Sequence, residues 1–292
     1  MKKKSIRIDE YKKEFEQLFT QLTYSRGREA TDVFSDLLEL IICCFARGSM
    51  EKRYFEIIGK YKKDEIDLFP NLLAYVILQS MDMETHGYND CLGHFYEQFI
   101  KSSWKASATG QFFTPDNICT LMAKLTIGSD QANKRLKIND CACGSGRNLL
   151  AANAQAPGNY FFGEDIDAMC VYLTTVNFIL HKMEGQVCCL DSIMPDRFFF
   201  GYEVALIPSE VNGEIQSIPI VRKISADESF TYTQWKVQRE EYEANLQLTA
   251  STELSPEPKQ PNPEHPKNGG NKLNKANSGA KTPAPKPQLT LF

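Results

Sequence analysis

Asp140-Cys141-Ala142-Cys143-Gly144-Ser145-Gly146 is the stretch on which the reading of this chain turns. Leu136-Lys137-Ile138-Asn139 before it is a short extended run, and Arg147-Asn148-Leu149-Leu150-Ala151-Ala152 after it opens a helix. Strand, small-residue turn and helix, in that order, are how an α/β sheet presents a nucleotide-like ligand at the carboxyl end of a strand. Gly144 and Gly146 tolerate positive φ and let a ligand approach the backbone. The N–H groups at the helix start are then free to hydrogen-bond it. The turn lacks the Gly-x-Gly-x-x-Gly pattern of dinucleotide sites and the Lys-Ser/Thr of a P-loop. Asp140 at the strand end suits a cationic amine better than a phosphate, which points to an amino-acid-bearing nucleoside, S-adenosylmethionine. An ordinary tight strand-to-helix turn accounts for the same seven residues, and alone they leave both readings open.

Downstream, Tyr160-Phe161-Phe162-Gly163-Glu164-Asp165-Ile166-Asp167 reads as a buried strand ending in carboxylates. Asp165 lies 19 residues after Gly146, where a carboxylate at the end of the next strand binds ribose hydroxyls. A helix is expected from Ala168 to about Met183, then a short strand Val187–Leu190 leading into Asp191-Ser192. Tyr202–Ile207 is expected as a strand, Ile215–Ile224 as a further strand or hairpin partner, and Thr233–Leu248 as a charged helix.

Upstream, Gly110-Gln111-Phe112-Phe113-Thr114-Pro115 leads into a helix that carries Ile118, Leu121, Met122 and Leu125 at helical spacing. A capped helix entry with two buried phenylalanines accounts for that hexapeptide equally well. Residues 104–109 form a polar linker. From 9 to about 103 the chain reads as helices, beginning with Tyr11, Phe15, Leu18, Phe19 and Leu22 on one face. The expected organisation is a helical N-terminal domain over 1–105, an α/β domain over 106–250 and a tail over 251–292. That tail holds the prolines at 256, 258, 261, 263, 266, 283, 285 and 287 and few large apolar groups. Such a composition cannot offset its ordering entropy, so it is expected to be disordered.

With a formal net charge of −4, the chain has no global positive field to draw it to nucleic acid. DNA contact would rest on local patches such as Lys2-Lys3-Lys4, Lys52-Arg53 or Lys60 with Lys62-Lys63. No run of about 18 apolar residues exists, so no membrane span is expected. The start shows no apolar signal core. The nine cysteines are therefore read as reduced. None has the Cys-x-x-Cys spacing of a zinc site, and no metal site is expected.

The hexapeptide Gly110–Pro115, the heptapeptide Asp140–Gly146 and Glu164-Asp165-Ile166-Asp167 occur in the order of the first three signature motifs of γ-class adenine-N6 DNA methyltransferases. The set most resembles the modification subunit of type I restriction–modification systems. Asp90–Ile100, with its Leu-Gly-x-x-Tyr-Glu core, resembles the end of that family's helical domain. The resemblance covers roughly residues 10–195 and implies a Rossmann-like S-adenosylmethionine-dependent methyltransferase domain acting on DNA. It implies that Gln111, Phe112 and Thr114 line the methionine end of the cofactor. Asp140 would bind its amino group, and the backbone of Ala142, Gly144, Ser145 and Gly146 would cradle it. Asp165 would take the ribose hydroxyls and Asp191 would approach the adenine amino group. It implies a bacterial, cytoplasmic protein, with a specificity subunit or a second methyltransferase subunit as partner.

The sequence departs from the family in one place that matters chemically. The Asn-Pro-Pro-aromatic tetrad that accepts hydrogen bonds from the adenine N6 group and stacks on the flipped base occurs nowhere in the chain. Aligning Tyr202–Ile207 with the strand before it puts Pro208, Ser209, Glu210 and Val211 at the tetrad, so no catalytic residue is assigned. Without the amide acceptor, the orientation that can supply about 7–11 kcal/mol of a barrier is missing. The last five residues, Gln288-Leu289-Thr290-Leu291-Phe292, resemble the bacterial sliding-clamp-binding pentapeptide; Gln288, Leu289, Leu291 and Phe292 would contact the clamp. Three functions stay open at this level: a methyltransferase with a partner-supplied catalytic loop, a non-catalytic module recruited to DNA by the clamp, and a structural relic that binds a partner.

Overall fold

The computed structural model describes residues 2–24, 27–83, 86–100, 113–194, 196–253 and 290–291. Met1–Thr233 and Leu289–Phe292 form one compact unit, and Gln234–Gln288 a second.

The first unit opens with helices. α1 (Lys2–Leu22) buries Phe15, Phe19 and Leu22, as its spacing predicts. α2 (Ala30–Phe45) is almost wholly apolar on its inner side, and α3 (Glu51–Ile58) follows. Two short helices come next, α4 (Lys63–Ile66) and α5 (Phe69–Ser80), with Pro70 in the first turn of α5. Proline is tolerated there because its missing N–H would have no partner anyway. Asp90 caps α6 (Cys91–Phe95) by accepting from the Gly93 N–H, and the chain continues as one π-helical turn, Tyr96–Ile100. The polar linker at 104–109 lies outside the described residues.

The α/β part starts with α7 (Asp116–Thr126) and runs β1 (Lys137–Asp140), α8 (Arg147–Gln155), β2 (Tyr160–Asp165), α9 (Ala168–Leu180) and β3 (Glu184–Leu190). These three strands are parallel. β4 (Phe198–Val211) and β5 (Glu214–Ile224) form an antiparallel hairpin on the β3 side, turned by Asn212–Gly213 with φ of 53° and 83°. Positive φ at both central residues matches the right-handed twist of the flanking strands, and Asn-Gly adopts it most readily. A two-residue strand, β6 (Thr290–Leu291), lies parallel to β1, giving the order β5-β4-β3-β2-β1-β6. α10 (Phe230–Glu253) begins in this unit.

Three expectations change. β4 borders β3, so Pro208, Ser209, Glu210 and Val211 pair with Glu214–Ser217 far along a hairpin. They continue that strand and do not follow it as a loop, and they form no tetrad. Helices and sheet share one hydrophobic core running from Phe15 through Phe113 to Val221, so packing continues across the expected boundary near 105. Within 251–292, Ser251–Glu253 continue α10 and Thr290–Leu291 pair as a strand; the rest of that tail lies outside the described residues.

The second unit contributes the remainder of α10, where Arg239 pairs with Glu243 one helical turn on and lies over the Trp235 ring.

Candidate ligand site at the carboxyl ends of the parallel strands

The turn after β1 is built as its composition requires. Gly144 and Gly146 have φ of 57° and 82°, the left-handed region where a Cβ is costly. A Cβ at Gly144 would stand 2.9 Å from the Phe113 ring, and one at Gly146 2.9 Å from Thr174. Both glycines are therefore fixed by close packing within the protein as well as by φ.

Four backbone donors of the turn are occupied. The Ala142 N–H donates to Asp140, that of Cys143 to the Glu164 carbonyl, that of Gly144 to Asp165 Oδ2 at 2.9 Å, and that of Gly146 to the Cys143 carbonyl. Four amides of the cradle expected from the sequence, those of Ala142, Cys143, Gly144 and Gly146, are thus engaged within the protein. The Ser145 hydroxyl is also spent inward, on Asp90 at 2.5 Å, and the residue is 1% exposed. With the amides engaged and carboxylates at the rim, the turn is unsuited to a phosphate.

Two carboxylates stand beside the turn, one half-buried and one buried. Asp165, half-buried at the end of β2, accepts from the Gly144 N–H with one oxygen and from the Asp167 N–H at 2.9 Å with the other. Two amides fix the carboxylate's orientation, and each oxygen keeps a second lone pair. Asp140 is 5% exposed and accepts from the Ala142 N–H and the Asn148 amide. Burial raises its pKa; those two hydrogen bonds oppose the rise, and the charge of Asp165 adds to it. No cationic side chain is bonded to either carboxylate among the described residues.

Ile166, next to Asp165, is 65% exposed, an apolar surface beside the carboxylate that the sequence reading did not single out. Asp191 stands at the end of β3, but its Oδ1 accepts from the Ile193 and Met194 N–H groups, so it shapes its own loop. Ser192 ties that loop to the turn by donating to the Cys141 carbonyl at 2.5 Å. Thr114 lines, with Phe113, Asn148 and the turn, a recess of about 40 Å³, room for roughly one small polar group. Gln111, Phe112, Gln288, Leu289 and Phe292 lie outside the described residues. Leu291 is in β6.

Behind the turn is a buried ionic junction that sequence reasoning missed. Asp90, fully buried, accepts from Gly93 N–H, Asn177 Nδ2, Ser145 Oγ and Arg147 Nε. Arg147 also donates to the Thr114 carbonyl and to Glu97, whose other oxygen accepts from the Phe113 N–H. Burial alone would lower the Arg147 pKa, but Asp90, Asp116 and Glu97 more than offset it and the net shift is upward. Burial would likewise raise Asp116; the hydrogen bond from His94 and the charge of Arg147 instead hold it at about 2. This junction fastens the end of the N-terminal helices to the turn, so the position of Phe113–Thr114 over the site follows from it.

Residues 87–202 match the model of the N-6 DNA Methylase family. The matched span runs from just before the Asp90 cap to early β4 and contains the turn, the ionic junction and Asp165. Two curated relatives carry the same likeness. The chain is 29% identical over 187 residues to the Type I restriction enzyme MjaIX methylase subunit of Methanocaldococcus jannaschii, covering 55% of this chain and 33% of that protein. It is 29% identical over 121 residues to the MpnII methylase subunit of Mycoplasma pneumoniae, covering 39% and 22%. The chain thus spans a third or less of the length of these relatives. Among solved structures, a type I restriction-modification methyltransferase subunit from Streptococcus thermophilus aligns at 24% identity and TM-score 0.28, covering 44% of this chain and 28% of that one. A class I S-adenosylmethionine-dependent methyltransferase from Listeria monocytogenes, itself described as putative, aligns at 19% and 0.29, covering 53% and 52%. The likeness over the middle of the chain is to N-6 DNA methylases and to methylase subunits of type I restriction enzymes. No helix among the described residues is long and apolar enough to cross a membrane.

Proposed function

We propose that this chain binds S-adenosylmethionine as an adenine-N6 DNA methyltransferase-type module, and that these 292 residues alone do not complete methyl transfer. The observation that carries the binding half is the pair of carboxylates at the mouth of the turn, Asp165 held by two amides and Asp140 buried beside it with no cation. A ligand bringing an ammonium group and a vicinal diol satisfies both. Asp140 takes the amine, Asp165 the ribose hydroxyls, and Ile166 offers the apolar contact for the base. Gln111, Phe112 and Thr114 close over the methionine end in this reading. Bound there, the cofactor would supply an electrophilic methyl group; the chain's own part is to hold and orient it.

The transfer half fails for want of an acceptor site. Pro208–Val211 lie on the outer hairpin, and no Asn-Pro-Pro occurs in the sequence. Transfer in this reading needs an acceptor site from residues beyond these, and a specificity subunit or a second methyltransferase subunit is the partner that the family resemblance implies. Calorimetric titration with S-adenosylmethionine tests the binding half. We expect saturable binding that weakens at least tenfold in Asp165→Ala and in Asp165→Asn, the latter keeping an acceptor for one amide and hence the fold. Absence of binding at millimolar cofactor would overturn it. N6-methyladenine formed in DNA by the purified chain alone would overturn the second half.

The clamp-like pentapeptide supports a companion reading, recruitment of the module to DNA by a bacterial sliding clamp. Deletion of residues 288–292 should then abolish clamp capture; unchanged capture would count against it.

A further inference from the structure

The two edges of the sheet are closed by different means. The β5 edge carries Pro219, Arg222 and Lys223, residue types that discourage a further strand from pairing. β1 has no proline, and Ile138, Asn139 and Asp140 are 1%, 6% and 5% exposed. On its outer side lie Thr290 and Leu291, parallel, in register with Ile138 and Asn139. Leu289–Phe292 belong to the same compact unit as the sheet. Asn139, in this paired register, is buried with no hydrogen-bond partner for its Oδ1.

We propose that the β1 edge is a strand-docking groove, that its occupant is this chain's own segment around Thr290–Leu291, and that docking there withholds those residues from any other protein. The inference is independent of cofactor binding and goes beyond the clamp reading, since it sets how often the tail is presented. A strand on the same chain as its groove binds intramolecularly, at an effective concentration set by the length of chain that joins them. An outside partner must take the segment from that groove, and its apparent affinity falls by the fraction of chains in which the tail is free.

The test uses the full chain and a variant carrying Thr290→Pro and Leu291→Pro, because proline cannot donate to a ladder. The probe is a fluorescein-labelled peptide with the sequence of residues 281–292. We expect saturable binding to the variant, at least tenfold tighter than to the unaltered chain, whose groove is filled. Hydrogen exchange of the β1 amides should speed up at least tenfold in the variant. The proposal requires both results: equal binding to the two chains, binding to neither, or unchanged exchange overturns it. Sedimentation showing a dimer of the unaltered chain that the prolines dissolve would overturn the intramolecular occupant in favour of a second copy.

Discussion

Two buried carboxylates, on opposite sides of the candidate site, are treated in opposite ways. Asp90 lies between the helices and the turn with four donors, one of them a guanidinium. Glu164, on β2 and 1% exposed, accepts from Thr231 Oγ1 at 2.5 Å through one oxygen, while its Oε2 has no partner. Burial raises Glu164 to about 7, against the opposing hydrogen bonds of Thr231 and Asn139. A charge buried with full compensation acts as a fixed joint; a carboxyl buried with half of it is easier kept protonated. The contrast teaches where the molecule is rigid by ionic design and where proton uptake is the cheaper answer.

The largest effect should come from uncoupling the joint. Arg147→Met leaves Asp90 and Glu97 without their cation, and removing one partner of such a pair costs about 3–5 kcal/mol. Urea unfolding measures it; a loss below about 1 kcal/mol would mean that the two carboxylates are not equivalent to a buried pair. Glu164→Gln should act in the other direction. The folded pKa lies above the ordinary value of 4.5, so the folded state holds the proton more tightly. The stability that this group contributes is then fully present below about pH 4.5 and is lost as pH rises to about 7. Above pH 7 the glutamine variant, which has no charge to bury, should be more stable by up to about 3 kcal/mol. A stability difference between the two chains that does not vary from pH 5 to 8 would break the comparison.

Asp116 sharpens it at smaller scale. Its lowered pKa, about 2, contributes stability that is present above the ordinary carboxylate range and is lost as pH falls towards 2. Partial exposure reduces the effect, and Asp116→Asn should cost roughly 1 kcal/mol at neutral pH. The smallest effect belongs to Arg239 and Glu243, more than half exposed on α10. Arg239→Ala should change stability by less than about 0.5 kcal/mol.

Much of the parallel part was legible in the sequence. The strand-turn-helix signal at 136–152, the carboxylate at Asp165 and the helical spacing of Phe15, Phe19 and Leu22 each rest on local chemistry and each correspond to an observed element. The joint was not legible, because Asp90 reads as an ordinary helix cap and Arg147 as an ordinary helix opener. Only the fold brings together residues 57 positions apart. The inward Ser145 hydroxyl was not legible either: a small hydroxyl in a turn carries no mark of which way it faces. Tyr202–Ile207 was legible as a strand but not in its neighbour or direction, since a strand pattern contains neither. The Asn212–Gly213 pair between two extended runs held one missing signal, a tight hairpin that pairs β4 with β5.

Of the nine thiols, Cys44 and Cys141 alone are exposed. Burial drives Cys91, Cys119 and Cys188 up to about 12, so a mild alkylating reagent will pass them by. Cys141 sits inside the turn, one residue from Asp140, and its carbonyl receives Ser192. The molecule therefore carries its own reporter at the mouth of the site. In the proposed reading, the labelling rate at that one sulfur, read against Cys44 as an internal standard, should fall as S-adenosylmethionine fills the turn.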